Sequence, residues 1–351
     1  MRLIIASGSL GKYFHLKEFN DALIRLGVDS KLVKEIEFSN GFPSKKISEW
    51  FLTSKKFQHL IQEFKPDAIF VDRQLHFAND TLKAKIPLFI LLRGNYWSEI
   101  EWSKKTKNKG LKKIIIWFRN RIAEKCFENA TAIFPICNWL EDIVKEHHPS
   151  QKTHTFFEGI DESKWFYQKG IKLIHPCVGL LQDANTWGKT KEMLVLKNVI
   201  KTLPHIHFYW AGGGFYEKKI LESLNEFDNF HYLGRLDYPG KVREFLSEID
   251  IYALVSGMDM APLTLKEAEL MEKPVLATKS GGIPEMMDPD KSGFLIEKGD
   301  YQTWIDKITL LSKNKELSKK LGICGREFVI QNFSWDVIAK KFLKNIKPYL
   351  K

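Results

Sequence analysis

The stretch from Ile251 to Glu297 constrains the fold most, because it reads as a strand, a helix and a second strand. A short apolar strand at 251–255 is followed by small and polar residues, then by a helical pattern, and then by an apolar strand at 274–277. Ser280-Gly281-Gly282 follows that second strand. Open parallel sheets are built from such units and bind ligands at the carboxyl ends of their strands. We therefore predict an α/β fold with a binding site after these two strands.

Asp259 and Glu267 are the two acids that the segment places at this site. If the helix begins near Pro262, Glu267 lies in its first or second turn and Asp259 lies in the loop before it. Unpaired N–H groups at a helix start suit a phosphate, and a carboxylate suits neighbouring sugar hydroxyls. The pattern predicts a nucleotide-sugar site, although two surface acids on an ordinary helix would have the same spacing.

The segment resembles the donor-site signature of the retaining family 4 glycosyltransferases of GT-B fold, in which two glutamates flank seven residues and Gly-Gly-Ile-Pro-Glu follows. Asp259 stands in place of the first glutamate and has a side chain shorter by one methylene. The residues that match or nearly match the signature are Glu267, Ala268, Pro274, Val275, Ala277, Thr278, Gly281, Gly282, Ile283, Pro284 and Glu285.

The resemblance implies roles for individual residues. Asp259, Glu267 and Arg93 would be the catalytic residues. The family's arginine and lysine, which hold the donor's diphosphate, correspond to Leu180 and to Lys189 or Lys191. The residues predicted to bind the donor are Gly8, Gly11, Lys189, Arg235, Gly213, Met260, Ala261, Leu263, Thr264 and Glu267.

Several of these residues have a simpler interpretation. Arg235 follows the predicted strand 231–233 and would replace the missing arginine or cap a turn. Gly213 lies in a run of three glycines after the strand 207–210, where either a ligand or a tight turn would require them. Gly8 and Gly11 follow the first strand and would let the backbone approach a phosphate or form a plain turn.

Arg93 follows the apolar run 87–92, which lacks polar alternation, as is typical of a strand buried on both faces of a parallel sheet. Arg93 therefore lies at the carboxyl end of a strand, near the point where the resembling family has a histidine. It would face the ligand, cap a helix or bind a surface acid.

The resemblance covers nearly the whole chain and implies two Rossmann-like doubly wound domains that face each other across a cleft. Glu158-Gly159-Ile160-Asp161 resembles the family's Asn-Gly-Val-Asp, which closes the first domain. We predict an acceptor-side domain at 1–168, a nucleotide-sugar-binding domain at 169–335, and a terminal helix at 336–351 that crosses back to the first domain.

The net charge and the cysteine content indicate which classes of binding partner and which cellular compartment to expect. The formal net charge of +11 predicts anionic partners, and we find no zinc-finger spacing or aromatic RNA-binding signature that would indicate nucleic acid. Four scattered cysteines without a C-x-x-C pair fit a reducing compartment. The start of the chain reads as a strand, and no apolar run is long enough to span a membrane. We expect a cytoplasmic protein, either soluble or peripheral to the inner face of the cell membrane.

Residues 102–125 carry nine lysines and arginines against one acid, Glu124. Leu111, Ile114, Ile115, Phe118 and Ile122 recur there at helical spacing, and Trp117 lies off that stripe. A basic amphipathic helix with interfacial aromatic residues can bind an anionic membrane. The pattern favours the alternative, in which the apolar stripe lies in the core and the lysines form a solvated face.

The activity implied is transfer of a glycosyl group from a nucleotide sugar to a hydroxyl of a glycan or lipid-linked acceptor, with retention at the anomeric carbon. No metal or other cofactor is predicted, because the only Asp-x-Asp, at 288–290, has a proline inside it and reads as a turn. A binding protein of transferase-like fold that has lost turnover, or another GT-B enzyme such as a sugar-nucleotide epimerase, remains as an alternative.

Overall fold

The computed structural model describes residues 1–8, 13–39, 41, 55–107 and 110–350. The chain divides into two compact units, here called unit 1 (Met1–Gly159 with Trp335–Lys351) and unit 2 (Ile160–Ser334). The predicted domain boundary at residue 168 differs from the boundary after Gly159. Residues between the two positions bond to unit 2: Gln168 N donates to Ser247 Oγ at 3.1 Å, and the Trp165 carbonyl accepts from Arg326 Nη1 at 3.2 Å.

Unit 1 is built on a parallel sheet of five strands in the order β2-β1-β3-β4-β5. Strands β3 and β4 are buried along their whole length, which explains why they lack polar alternation. In chain order, the strands and helices of unit 1 up to residue 159 are β1 (Arg2–Ser7), α1 (Tyr13–Arg25), β2 (Asp29–Lys34), α2 (Glu35–Phe38), α3 (Lys55–Phe64), β3 (Ala68–Asp72), α4 (His76–Lys83), β4 (Leu88–Leu92), α5 (Tyr96–Lys107), α6 (Leu111–Asn129), β5 (Ala132–Pro135) and α7 (Asn138–His147).

Unit 2 is built on a parallel sheet of six strands in the order β11-β10-β9-β6-β7-β8. In chain order its strands and helices are β6 (Cys177–Leu181), α8 (Trp187–Thr190), α9 (Leu196–Thr202), β7 (His207–Ala211), α10 (Glu217–Leu224), β8 (Phe230–Gly234), α11 (Gly240–Glu248), β9 (Ile251–Leu254), α12 (Leu263–Leu270), β10 (Val275–Thr278), β11 (Gly293–Ile296), α13 (Tyr301–Lys313) and α14 (Lys315–Phe333).

The order of strands fixes where each unit can bind a ligand. In unit 2 the chain runs outward in one direction from β6 and in the other from β9, so the two halves meet between these strands. In unit 1 the corresponding point lies between β1 and β3. Ligands of doubly wound sheets bind at the carboxyl ends of the strands beside such a point. The predicted polar residues after β9 and β10 therefore lie near the switch point of unit 2.

The last helix, α15 (Trp335–Ile346), belongs to unit 1. Its Phe342 ring lies 4.8 Å from Phe70 and 5.2 Å from Phe19, centroid to centroid, in the core under the sheet. Gly159 has no room for a side chain, because a Cβ atom would lie 2.4 Å from the Trp335 ring. Helix α15 therefore completes the core of unit 1.

The chain enters and leaves unit 2 at paired positions. Ile160 and Ser334 form a parallel β-bridge, and Ile160 N donates to the Phe333 carbonyl at 2.9 Å. Unit 2 is thus a continuous segment inserted between two parts of unit 1.

The basic region 102–125 differs from its prediction in two respects. It forms parts of two helices, α5 and α6, with Gly110 at the N-cap of the second. The apolar stripe is also only partly covered, since Leu111 and Ile114 are about half exposed and its other three members are partly buried: Ile115, Phe118 and Ile122. Trp102 and Trp117 are about half exposed as well. Among the residues that the structure describes, no helix has both the length and the apolar character needed to cross a membrane.

Candidate functional site

The loop from Val255 to Pro262 follows β9 and carries Asp259 to the start of α12. Helix α12 begins at Leu263, as the position of Pro262 predicted, and Pro262, its N-cap residue, makes no side-chain capping hydrogen bond. Asp259 Oδ1 accepts a hydrogen bond from Met260 N at 2.8 Å. The loop and the helix start therefore lie together at the carboxyl end of β9, near the switch point of unit 2.

Lys189 and Asp259 form an ion pair in this site. Lys189 lies on α8, which follows β6, and its Nζ atom is 2.9 Å from Asp259 Oδ2. The two backbones are also connected, because Gly257 N donates to the Lys189 carbonyl at 2.9 Å. A Cβ atom on Gly257 would lie 2.3 Å from the Gly188 carbonyl, so only glycine allows this approach. The structure thus brings together Lys189, which was predicted to bind the donor's phosphates, and Asp259, which was predicted to bind its sugar.

The glycine turn after β10 closes the other side of the Asp259 loop. Gly282 N donates to the Asp259 carbonyl at 2.8 Å, and Ser280 Oγ donates to the Gly257 carbonyl at 2.7 Å. Gly281 has φ +57°, and a Cβ atom there would lie 2.3 Å from the Asp259 carbonyl. Glycine at position 281 is therefore needed for the turn to pack against the loop.

Glu267 lies in the second turn of α12 and is only 2% exposed. Its charge acts on Tyr252, a buried residue of β9 whose phenol donates to Thr264 Oγ1 at 2.7 Å. Burial raises the pKa of Tyr252, and the carboxylates of Glu267 and Asp259 raise it further. The Tyr252 phenol therefore stays protonated and orients Thr264. Ala261, predicted beside these residues, is also buried.

Arg235 and Gly213 lie together beyond β7 and β8. Arg235 Nη2 is 3.3 Å from Asp183 Oδ2, with both side chains more than half exposed, and 3.5 Å from the Gly213 carbonyl. Three strand steps separate the end of β8 from the end of β9, a distance of about 14 Å at the usual spacing. The Arg235 side chain spans part of this distance, because Asp183 belongs to the loop after β6, the strand next to β9.

Two of the three glycines after β7 are explained by packing against the loop that follows β6. A Cβ atom on Gly212 would lie 2.0 Å from the Gln182 carbonyl, and one on Gly214 would lie 2.4 Å from Asn185 Oδ1. Both glycines also have positive φ, at +157° and +140°. Close approach of this loop accounts for two of the three glycines without a ligand.

The position where the resembling family has an arginine is occupied by Leu180, which is fully buried in the core of unit 2. Gln182, two residues later, was missed by sequence reasoning. Its side-chain amide joins β6 to β9 at the switch point, donating from Nε2 to the Val255 carbonyl at 2.9 Å and accepting from Val255 N at 3.0 Å. A glutamine after a strand has no distinctive spacing, so only the structure shows this role.

In unit 1, Arg93 is part of a buried ion-pair cluster. Arg93 Nε lies 2.7 Å from Asp72 Oδ1, and Arg93 Nη1 is paired with Glu158. Both acids are 4% exposed at their side chains and Arg93 is 17% exposed. The interpretation that Arg93 binds an acid is correct, but both acids are buried rather than on the surface.

Of the two glycines of unit 1 that were predicted to bind the donor, the structure describes only Gly8. Gly8 follows β1, and a Cβ atom there would lie 2.3 Å from the Asp72 carbonyl and 2.7 Å from Arg73 Cδ. Gly8 therefore allows the end of β3 to pack over the end of β1. Gly11 lies outside the described residues.

A second cluster that the sequence did not reveal lies at the amino end of β6. His175 Nδ1 is 2.9 Å from Asp250 Oδ2, which also accepts from Cys177 N at 2.7 Å. The three side chains could supply metal ligands. Burial raises the pKa of the Cys177 thiol to about 12, which opposes the thiolate that a metal requires.

Sequence comparison finds that this chain is similar to known glycosyltransferases. Residues 189–328 match the family "Glycosyl transferases group 1". The N-acetyl-alpha-D-glucosaminyl L-malate synthase of Bacillus anthracis is 31% identical over 124 residues, which is 35% of this chain and 32% of that protein. The capsular polysaccharide biosynthesis glycosyltransferase CapM of Staphylococcus aureus is 24% identical over 69% of this chain and 67% of its own length. The chain thus aligns with about a third of the Bacillus protein.

Solved structures share the fold over nearly the whole chain. A sucrose-phosphate synthase from Thermosynechococcus elongatus has a TM-score of 0.75 at 12% identity, with 99% of both chains covered. Anabaena HepE in complex with UDP has a TM-score of 0.72 at 14% identity, covering 99% of this chain and all of that one. At these identities the likeness concerns the fold alone. The predicted fold, with two parallel-sheet α/β domains of GT-B type, is confirmed.

Proposed function

We propose, from the match of residues 189–328 to the family "Glycosyl transferases group 1", that the chain transfers a sugar from a nucleotide-sugar donor to an acceptor hydroxyl with retention at the anomeric carbon. The observation that carries the proposal is the arrangement at the carboxyl end of β9. There Lys189, Asp259 and the uncapped start of α12 lie together beside the switch point of unit 2.

The proposed chemistry is assistance to the departing nucleoside diphosphate. Lys189 would stabilise the charge that develops on the phosphates, and the first N–H groups of α12 would add the positive end of a helix dipole. Asp259 would orient the transferred sugar, and Glu267 would bind the ribose. The proposal includes no metal, so the positive groups of the protein would supply all of the charge stabilisation.

The direct test is incubation of the protein with a panel of nucleotide sugars, followed by measurement of nucleotide release with and without added acceptor. Release that depends on one donor and rises with an acceptor would support the transferase. The stereochemistry of the isolated product would then test retention. Absence of release from every donor, in a protein that still binds a nucleoside diphosphate, would contradict turnover.

A binding protein that has lost turnover is the second candidate, and two observations favour it. Leu180 replaces a cation of the resembling family and is buried in the core. The remaining cation, Lys189, has its charge partly neutralised by Asp259. A tight nucleotide-sugar complex without release would decide for this candidate.

We further propose that unit 1 binds an anionic membrane surface through α5 and α6. Trp102, Leu111, Ile114 and Trp117 are exposed there among lysines, so the apolar side chains could enter a lipid surface while the lysines meet its phosphates. Such a surface would suit a lipid-linked acceptor. A cytoplasmic location is part of the same proposal and is supported by the lack of any disulfide among the four cysteines.

A further inference from the structure

Unit 1 contains a cavity of about 500 Å³ at the carboxyl ends of β3 and β4. Helices α5 and α6 form its outer wall, and the loop after β3 forms its floor. This edge of the sheet adjoins the switch point between β1 and β3, where a doubly wound unit is expected to bind a ligand. A volume of this size fits a monosaccharide with one attached group.

Two guanidinium groups line this cavity and have no direct partner among the residues that the structure describes. Arg73 follows β3 and Arg119 lies on α6, and both line the cavity. Among the described residues neither forms an ion pair or a hydrogen bond, whereas the third arginine, Arg93, is paired with both Asp72 and Glu158. Arginine is the side chain best suited to bind phosphate and carboxylate groups through paired N–H donors.

Burial reduces the tendency of two acids near the cavity to carry a negative charge. Burial raises the pKa of Glu99, against the effect of Arg73, and burial raises the pKa of Glu35, beside the cavity, to about 7. The environment therefore disfavours the charged form of both carboxylates. Burial also lowers the pKa of Arg119, and the nearby charge of Arg73 lowers it further. Two like charges are thus held near one another, an arrangement that an anion between them would stabilise.

The backbone at Arg73 adds a second, independent observation. Arg73 has φ +150°, a conformation that side-chain-bearing residues rarely adopt, and its side chain lies over Gly8. Glycine at position 73 would relieve the strain. Retention of an arginine in a strained conformation at the edge of a cavity is typical of a functional position.

We propose that this cavity binds an oxyanion group, a phosphate or a carboxylate, held between Arg73 and Arg119. The apolar side chains of Leu75, Ile100 and Ile116, which also line the cavity, would contact the body of the same ligand. The ligand would be the acceptor of the transfer reaction, an acidic sugar or a sugar phosphate. The assignment as acceptor rests on the proposed function, while the oxyanion site itself does not.

The test is titration of the full-length protein by calorimetry with inorganic phosphate, glucose 1-phosphate, glucuronate and neutral glucose. We expect the three anions to bind and glucose to bind at least tenfold more weakly. Arg73→Gln and Arg119→Gln should each weaken anion binding about tenfold, the loss expected for one charge-assisted contact. Arg121→Gln is the matched control, because Arg121 lies on the same helix and does not line the cavity.

Further variants and lipid vesicles test the cavity and the source of the phosphate separately. Ile116→Trp should fill the cavity and block the anions while both arginines remain, and Arg119→Lys should retain part of the affinity. Vesicles that contain phosphatidic acid distinguish a lipid phosphate from a free one, since their binding should also depend on Arg119 if the lipid is the source. Equal anion affinity in wild type, Arg73→Gln and Arg119→Gln, or no saturable binding of any anion, would overturn the site.

The proposed function can fail separately from this site. Nucleoside diphosphate affinity should be unchanged in Arg73→Gln and Arg119→Gln, because both residues lie in unit 1. If no nucleotide sugar is turned over but anion binding depends on Arg119, the oxyanion site stands and its role as acceptor site is wrong.

Discussion

The ammonium group of Lys189 and the carboxylate of Asp259 lie 2.9 Å apart at the carboxyl end of the unit 2 sheet. Both side chains are partly exposed, so the pair contributes little to stability, on the order of 0–1 kcal/mol. The contact instead sets the charge that a bound donor would meet. A diphosphate would compete with Asp259 for Lys189.

This competition gives the first prediction. Lys189→Met should weaken binding of a free nucleoside diphosphate by about tenfold, because one charge-assisted contact is lost. Asp259→Ala should leave that affinity equal or higher, since it frees the lysine, but should lower turnover of the intact donor. Titration of the free nucleoside diphosphate and of the intact donor against each variant measures these affinities. A further variant, Asp259→Glu, tests whether the length of the acidic side chain sets donor preference. A weaker diphosphate complex in Asp259→Ala would contradict the pairing.

Glu267 gives the second prediction. Hydrogen bonds to a charged partner contribute roughly 1.5 to 3 kcal/mol, so Glu267→Ala should weaken donor and free nucleoside diphosphate alike by about tenfold or more. Glu222→Ala, on the exposed face of α10, is the control. Unchanged nucleotide affinity in Glu267→Ala would remove Glu267 from the ribose site.

The third prediction concerns the Arg93 cluster of unit 1. Arg93→His would leave two buried acids without their cation, and breaking a buried pair in this way costs about 3 to 5 kcal/mol. Arg93→His with Glu158→Asn removes one of the two acids together with the cation, and uses residue types that the resembling family has at or near these positions. The double variant should therefore be more stable than Arg93→His alone, as measured by denaturant unfolding. If the stability losses of the two single variants simply add in the double variant, Arg93 and Glu158 do not stabilise the fold as a pair.

Glu269 gives a prediction of pH dependence. It lies fully buried on α12, and among the described residues neither carboxyl oxygen has a hydrogen-bond partner within normal geometry, although Ser292 and Lys266 lie close enough to oppose the rise of its pKa. Burial raises its pKa well above the usual value. The folded state then binds this proton more tightly than the unfolded state, so Glu269 lowers stability as pH rises above the ordinary glutamate range. Glu269→Met should stabilise the protein by about 1 to 3 kcal/mol at pH 8, and the gain should shrink towards pH 4.5. A gain that does not change with pH would contradict the raised pKa.

The fifth prediction tests the membrane surface. Each lysine near an anionic surface contributes on the order of 1 kcal/mol, so reversal of Lys104, Lys105, Lys112 and Lys113 to glutamate should abolish binding to anionic liposomes. Reversal of four exposed lysines on α14 and α15 is the matched control: Lys319, Lys320, Lys340 and Lys341. Sedimentation with the liposomes measures the bound fraction. Equal binding by both variants would favour a purely solvated role for the basic helices.

Local pattern and resemblance together predicted the strand, helix and strand around Asp259 almost to the residue. The helix starts at Leu263, next to the predicted Pro262, and the second strand runs from Val275 to Thr278. These features depend on neighbours in the chain, which is why a single sequence shows them. The location of Lys189 near Asp259 was also implied, because parallel strands bring their carboxyl ends to one edge.

Contacts between distant residues could not be predicted in the same way. Arg93 and Glu158 each differ from the resembling family, but the sequence does not show that the two differences form one ion pair. Leu111 and Ile114 have helical spacing, and spacing alone does not tell whether another element covers them. Arg73 and Arg119 belong to no motif, and only the structure shows that they line one cavity and have no direct partner among the described residues.

The bridge between Ile160 and Ser334 bears on how the protein is made. Because unit 2 is an unbroken segment, it can complete its sheet as soon as it leaves the ribosome. Unit 1 begins first but must wait, since Phe342 of the last helix fills the space beside Phe19 and Phe70. During synthesis we therefore expect the first half of the chain to carry an open apolar face until unit 2 has been translated, and exposed apolar surface of this kind favours aggregation.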